Sequence, residues 1–154
     1  MSATRTVPRA SAERVEIRTT MLVSGLIAFA VIELALTLFM AAAPHAFFTA
    51  VGPFGGSNDH YVRDVASYNA ALTAGLLVAV RRPSWRVPVL AMTTIQFAAH
   101  SANHLLDIAG ARPGWVGYLD FFALAFGTLQ LAGLLWLALS LSHEPTRRWE
   151  VRGR

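Results

Sequence analysis

Residues 87–106, VPVLAMTTIQFAAHSANHLL, decide how the chain reads. The stretch is long and apolar enough to cross a bilayer core, which takes roughly 20 residues. Within it Gln96, His100, Asn103 and His104, followed by Asp107, recur at spacings of three and four. On a helix that spacing lines them along one face. Ionisable groups inside hydrocarbon are costly and turn to a partner, a ligand or a water-filled cavity. The stretch therefore predicts a membrane-crossing helix whose polar face meets neighbouring helices.

Three more stretches of this kind surround it. Thr19–Ala43 is interrupted only by Glu33, Tyr61–Val80 is apolar from Val65 onward, and Val116–Leu141 carries Asp120 near its start. The connections 81–86 and 107–115 are short, so neighbouring helices should pack antiparallel. The expected fold is all-α, an integral membrane four-helix bundle. Its parts are a tail over 1–18, a four-span domain over 19–142 with an outer loop at 44–60, and a basic tail over 143–154.

Composition and charge agree. Of 154 residues, 55% are hydrophobic and 14% are charged, against about a quarter charged in a soluble domain. All 13 basic residues are Arg, and eleven of them lie in the N-terminal tail, the 81–86 loop and the C-terminal tail. Arg63 and Arg112 alone fall on the other side. By the positive-inside rule both termini are cytoplasmic and the chain is a multi-pass protein of the cell membrane. The same placement argues against nucleic-acid binding, because the Arg residues flank spans. The first apolar stretch is longer than the core of a signal peptide and holds Glu33, so it reads as a retained span. Cysteine is absent, which excludes disulfides, thiolate ligands and thiol catalysis. Phosphate-loop and serine-nucleophile motifs are missing.

The polar residues of all four spans converge in depth. At about 1.5 Å per residue, Glu33 and Asn69 lie about 3 Å and His100 about 5 Å to the outer side of the midplane. His104 and Asp120 lie farther out, and Asp64, Asp107 and His60 sit at the outer interface. The loop PHAFFTAVGPFGGSNDHY, 44–61, covers this region. Its HAFFTAV piece reads as an interfacial segment or lid, and Asn58 or Asp59 as the N-cap of the second span.

His100 and His104 form the i, i+4 pair of helix-borne metal sites. Glu33, Asp64, His60 and Asp120 are the further candidate ligands, a nitrogen and oxygen set suited to zinc, iron or copper. Asn69, Asn103, Asp107 and Gln96 are candidates to orient those ligands, Asp107 standing three residues from His104. The competing reading pairs the histidines with Glu33 and Asn69 in interhelical hydrogen bonds. Glu33, the costliest residue of the spans, is the candidate general acid or base.

The four-span layout, the Asn58-Asp59-His60-Tyr61-Val62-Arg63-Asp64 entry to the second span and the small residues after it resemble the DoxX-like set of small bacterial membrane proteins. The resemblance implies a four-helix fold linked to quinone or thiol redox systems, and it transfers no catalytic residue. The residues themselves point first to a metal-binding and catalytic site for a lipophilic substrate, either an oxidoreductase or a metal-assisted hydrolase or isomerase. The alternative is a non-catalytic binding or accessory subunit holding a quinone, a lipid or, with His100 as axial ligand, a haem. Membrane lipid and a homo-oligomer or larger membrane complex are the expected partners.

Overall fold

The structure, a computed structural model, describes residues 9–143. Helix α1 spans Arg9–Ala42, α2 Pro44–Ala50, α3 Asp59–Arg81, α4 Pro83–Leu106 and α5 Gly114–Ser142, with one 3-10 turn at Ile108–Gly110. Helices α1 and α5 are long and apolar enough to cross a membrane. Only 33% of the most apolar stretch of α1 and 17% of that of α5 is buried within the molecule. Most of each stretch therefore faces outward from the molecule.

Helix boundaries follow local chemistry. Pro44 disfavours helical geometry at Ala43 and then opens α2 from its first turn. Asn58 caps α3, its side chain accepting from the backbone N–H of His60 at 3.1 Å and of Tyr61 at 3.3 Å. Arg82, extended before Pro83, is the single residue between α3 and α4. One expectation needs correction here. The segment 9–18, read as part of a tail, is the first part of α1. Downstream of Pro8 it holds Ala, Glu and Arg and no Gly or Pro, so nothing in it breaks a helix that the apolar stretch continues. The loop over 44–60 carries α2 across most of its HAFFTAV piece. The ends of both tails, 1–8 and 144–154, lie outside the described residues.

Each long helix packs on its sequence neighbours. The main contacts are α1 with α3, α4 with α5 and α3 with α4, while α1 meets α5 over a much smaller seam. The core gathers near the α3–α4 junction and along the middle of the helices. Leu22, Leu26, Leu76, Leu90 and Leu131 are fully buried there. Phe97 stands edge-on to Phe29, with centroids 5.8 Å apart at 85°, a pairing worth about 0.5–1.5 kcal/mol beyond its area. Gly127 makes this possible, because a Cβ there would lie 3.0 Å from the Phe97 ring. The outward faces are apolar in turn. Ile95 is 69% exposed, Leu129 71% and Leu106 82%.

Candidate functional site

Helix α4 presents His100 and His104 one turn apart, and their Nε2 atoms meet at 3.1 Å. One proton lies in that bond, so the ring that donates it has a bare Nε2 as its acceptor. The His104 ring also stands edge-on to Phe54, centroids 4.7 Å apart at 85°. Phe54 is held in place from the other side. It forms a single antiparallel bridge with Ala111, and the Arg112 backbone N–H donates to the Pro53 carbonyl at 3.3 Å. The 51–57 loop is thereby fastened to the α4–α5 connection and roofs the end of the helices.

Two cavities flank the histidines. The upper one, about 460 Å³, lies under the roof between Phe54, Tyr61, His104 and Asp120. The lower one, about 900 Å³, follows the thin α1–α5 seam from Arg18 to Glu33, Gln96 and His100. Leu36, Asn69, His100, Ala123 and Leu124 line both. The pair makes a mostly apolar crevice with a few polar groups at its middle, the composition of small-molecule sites.

Glu33, 2% exposed, lines the lower cavity beside Gln96. Helix packing around Leu22, Leu26, Phe29 and Ala30 aims that face of α1 inward. Three polar atoms at these cavities are buried without a hydrogen-bond partner: Gln96 Oε1, His104 Nδ1 and Asp120 Oδ2. Asp120 lies within electrostatic reach of His104. Buried polar atoms are rarely left unpaired, and each costs about 1–3 kcal/mol when it is. These atoms are the unpaired polar positions of the residues around the cavities.

The residues expected at the site divide into two sets. Glu33, Asn69, Gln96, His100, His104 and Asp120 line the cavities. His60 and Asp64 pair with each other at 3.5 Å on the exposed start of α3 and line neither cavity. Asn103 and Asp107 are exposed, and Asp107 is the C-cap of α4. Asp107 does not orient His104, whose Nδ1 is unbonded and whose Nε2 meets His100. The backbone there is still helical, the Asp107 N–H bonding the Asn103 carbonyl at 3.1 Å, but the Asp107 side chain is exposed while His104 Nδ1 is buried. Among the described residues, no three His, Cys, Asp or Glu side chains form a group able to hold a metal ion.

Phe54 is the site residue that sequence reasoning missed. Its signal was an aromatic inside a Gly-Pro-Phe-Gly-Gly turn, too exposed a place for an apolar ring with nothing to cover. His45 ties α2 to the start of α3 through Ser57 Oγ at 3.3 Å and Asp59 at 4.0 Å. No family model matches the chain, and no curated protein and no solved structure matches it.

Proposed function

We propose that this chain is a four-span protein of the cell membrane, with both termini cytoplasmic, that binds a lipophilic small molecule in the crevice between α1 and α5. The observation that carries the reading is the pair of neighbouring cavities that share Leu36, Asn69, His100, Ala123 and Leu124 in their walls. An apolar channel along α1 and α5 meets a short polar stretch made by Glu33, Asn69, Gln96 and His100. That arrangement suits an amphiphile whose chain lies along the seam and whose polar head sits at the histidines. A quinone-type head is also what the DoxX-like resemblance implies. Glu33 is the group placed to exchange a proton with such a head.

The topology draws on the exposed apolar faces and on the Arg distribution. Contiguous apolar surface of this extent is rare on monomeric soluble proteins, and lipid is the solvent that accommodates it.

The test is mass spectrometry of molecules retained by the full chain after gentle detergent extraction and delipidation. A lipophile retained by the wild type and lost from Glu33→Gln or from His100→Ala, each with intact helical circular dichroism, supports the reading. A delipidated wild type that rebinds no quinone or lipid from a membrane extract sinks it.

One observation favours a second reading, a metal-assisted enzyme. Two imidazole nitrogens bound to one tetrahedral zinc at about 2.0–2.1 Å stand about 3.3 Å apart, close to the 3.1 Å between His100 and His104. Stoichiometric zinc, iron or copper in the purified wild type, absent from a folded His100→Ala/His104→Ala variant, establishes it. A visible Soret band lost with His100 alone identifies a haem instead.

A further inference from the structure

We infer that the lower cavity takes an amphiphilic cation, a lipophile whose ammonium head pairs with Glu33. The inference rests on the lipophile-binding reading above and adds the charge of the ligand's head, in place of the quinone-type head that the family resemblance implies.

Glu33 is 2% exposed and lines the lower cavity. Among the described residues its carboxyl makes no hydrogen bond and no ion pair. Its oxygens are not sealed in packing, as the unpaired atoms of Gln96, His104 and Asp120 are. The little surface that Glu33 keeps therefore includes its carboxyl oxygens, and the open space beside it is the cavity. A carboxyl inside a bilayer is settled by a hydrogen-bond partner, by a protein cation or by a ligand. The first is missing among the described residues. The second is remote, since Arg18 lines the far end of the cavity, about 22 Å away along α1 at about 1.5 Å per residue. The His100 Nε2 is engaged by His104 at 3.1 Å. A ligand is the partner that remains.

Three features favour a cationic head over a neutral or anionic one. A carboxylate and an ammonium form a charge-assisted hydrogen bond, about twice as strong as one between neutral groups. Phe29, one turn from Glu33 on α1, and Phe97 also line the cavity. Aromatic rings carry a negative face, so such walls suit a cation better than an anion. Asn69 and Gln130 line the cavity too and make no hydrogen bond among the described residues. Their amide oxygens are further acceptors for a head that only donates, and an ammonium has N–H donors and no lone pair. An anionic head, by contrast, meets the like charge of Glu33. The apolar part of the lining, past Met21, Gly25 and Leu134, takes the ligand's chain.

The experiment uses the full chain in nanodiscs of zwitterionic phosphatidylcholine, with binding to empty nanodiscs subtracted. Dodecylamine, 1-dodecanol and dodecanoic acid are compared at neutral pH by direct titration and by displacement of radiolabelled dodecylamine. The amine is expected to bind about tenfold or more tightly than the alcohol, the difference between a charge-assisted and a neutral hydrogen bond at a buried site. In Glu33→Gln the preference should fall below about twofold while alcohol binding persists, which reports an intact cavity. Glu16→Gln removes an exposed acid nearer the start of the same helix and should keep the full preference. Equal affinity of the wild type for amine and alcohol overturns the inference and leaves the lipophile reading intact. Tighter binding of the acid overturns it too. So does a preference that survives in Glu33→Gln, or one lost equally in Glu16→Gln, where net charge is the cause. If none of the three binds while the wild type retains a lipophile from a membrane extract, the inference alone falls. If it retains none, both readings fall. The wild-type comparison decides the matter even if Glu33→Gln fails to fold.

Discussion

His104 touches two residues that come from opposite ends of the site. Its Nε2 meets His100 at 3.1 Å inside the same helix, and its ring edge meets Phe54 of the roofing loop at 4.7 Å between centroids. The loop, the α4–α5 connection and the cavity wall are therefore joined through one imidazole. A change at this ring alters the roof as well as the polar line.

That linkage separates two substitutions. His104→Phe keeps an aromatic ring against Phe54 but removes the bond to His100, and is expected to cost about 0.5–1.5 kcal/mol. His104→Ala removes the ring contact too and should cost about 1 kcal/mol more. Unfolding in a graded denaturing detergent, followed by circular dichroism, reads both. Equal loss in the two variants argues that Phe54 is not held by the ring.

Gly117 sits where α5 passes the carbonyl of Ile108 and the methyl of Ala111. A Cβ there meets backbone rather than a movable side chain, so Gly117→Ala should destabilise by about 1–3 kcal/mol. Gly133, with nothing within 4 Å of an added Cβ, is the matched control. There alanine should be neutral or stabilising by up to about 1 kcal/mol. The same unfolding assay checks both, and a harmless Gly117→Ala contradicts the close approach of α5 to the 3-10 turn.

Ala123 lines both cavities. Ala123→Phe should fill space in both and lower retention of a long-chain ligand by about tenfold or more, with the unfolding midpoint little changed. Short-chain congeners that fit one cavity should be affected far less. If long and short ligands lose affinity equally, the chain does not run past Ala123.

The absence of cysteine lets single labels report topology. Gly56→Cys lies on the exposed loop, where an added Cβ meets nothing within 4 Å, and Ser84→Cys lies at the start of α4. In intact cells a membrane-impermeant maleimide should label Gly56→Cys, and it should label Ser84→Cys only after lysis. The reverse pattern inverts the orientation, and labelling of both in sealed cells is incompatible with the four-span arrangement.

The helical segments were legible in the sequence because each is a long apolar run bounded by Pro, Asn or Arg, and such runs form helices whatever surrounds them. The polar stripe of α4 reaches the cavities only in part: Gln96, His100 and His104 line them, Asn103 and Asp107 are exposed, and the buried face runs through Leu90, Thr93, Phe97 and Ser101. The partners of the polar residues were not legible. Asp64, read as a ligand, is turned to His60 on the same helix, and two histidines read as reaching toward Glu33 reach toward each other. A single helix supplies both contacts in each case, and spacing alone cannot choose between a neighbour one turn away and one across the bundle.

What the sequence determined by itself was therefore the all-helical class and the set of polar residues from which a site is built; it read four spans, of which α1 and α5 have the length and apolarity to cross a membrane. Tertiary structure decided which of those residues meet and where the crevice opens. The physical reason lies in α1 and α5. They are apolar almost all the way round, so no polar face fixes their rotation. Shape does so instead, with Phe97 seated on Gly127 and Leu134 close against Gly25. With that packing Glu33 is buried, and α1 meets α5 closely at Gly25 within the seam that holds the lower cavity.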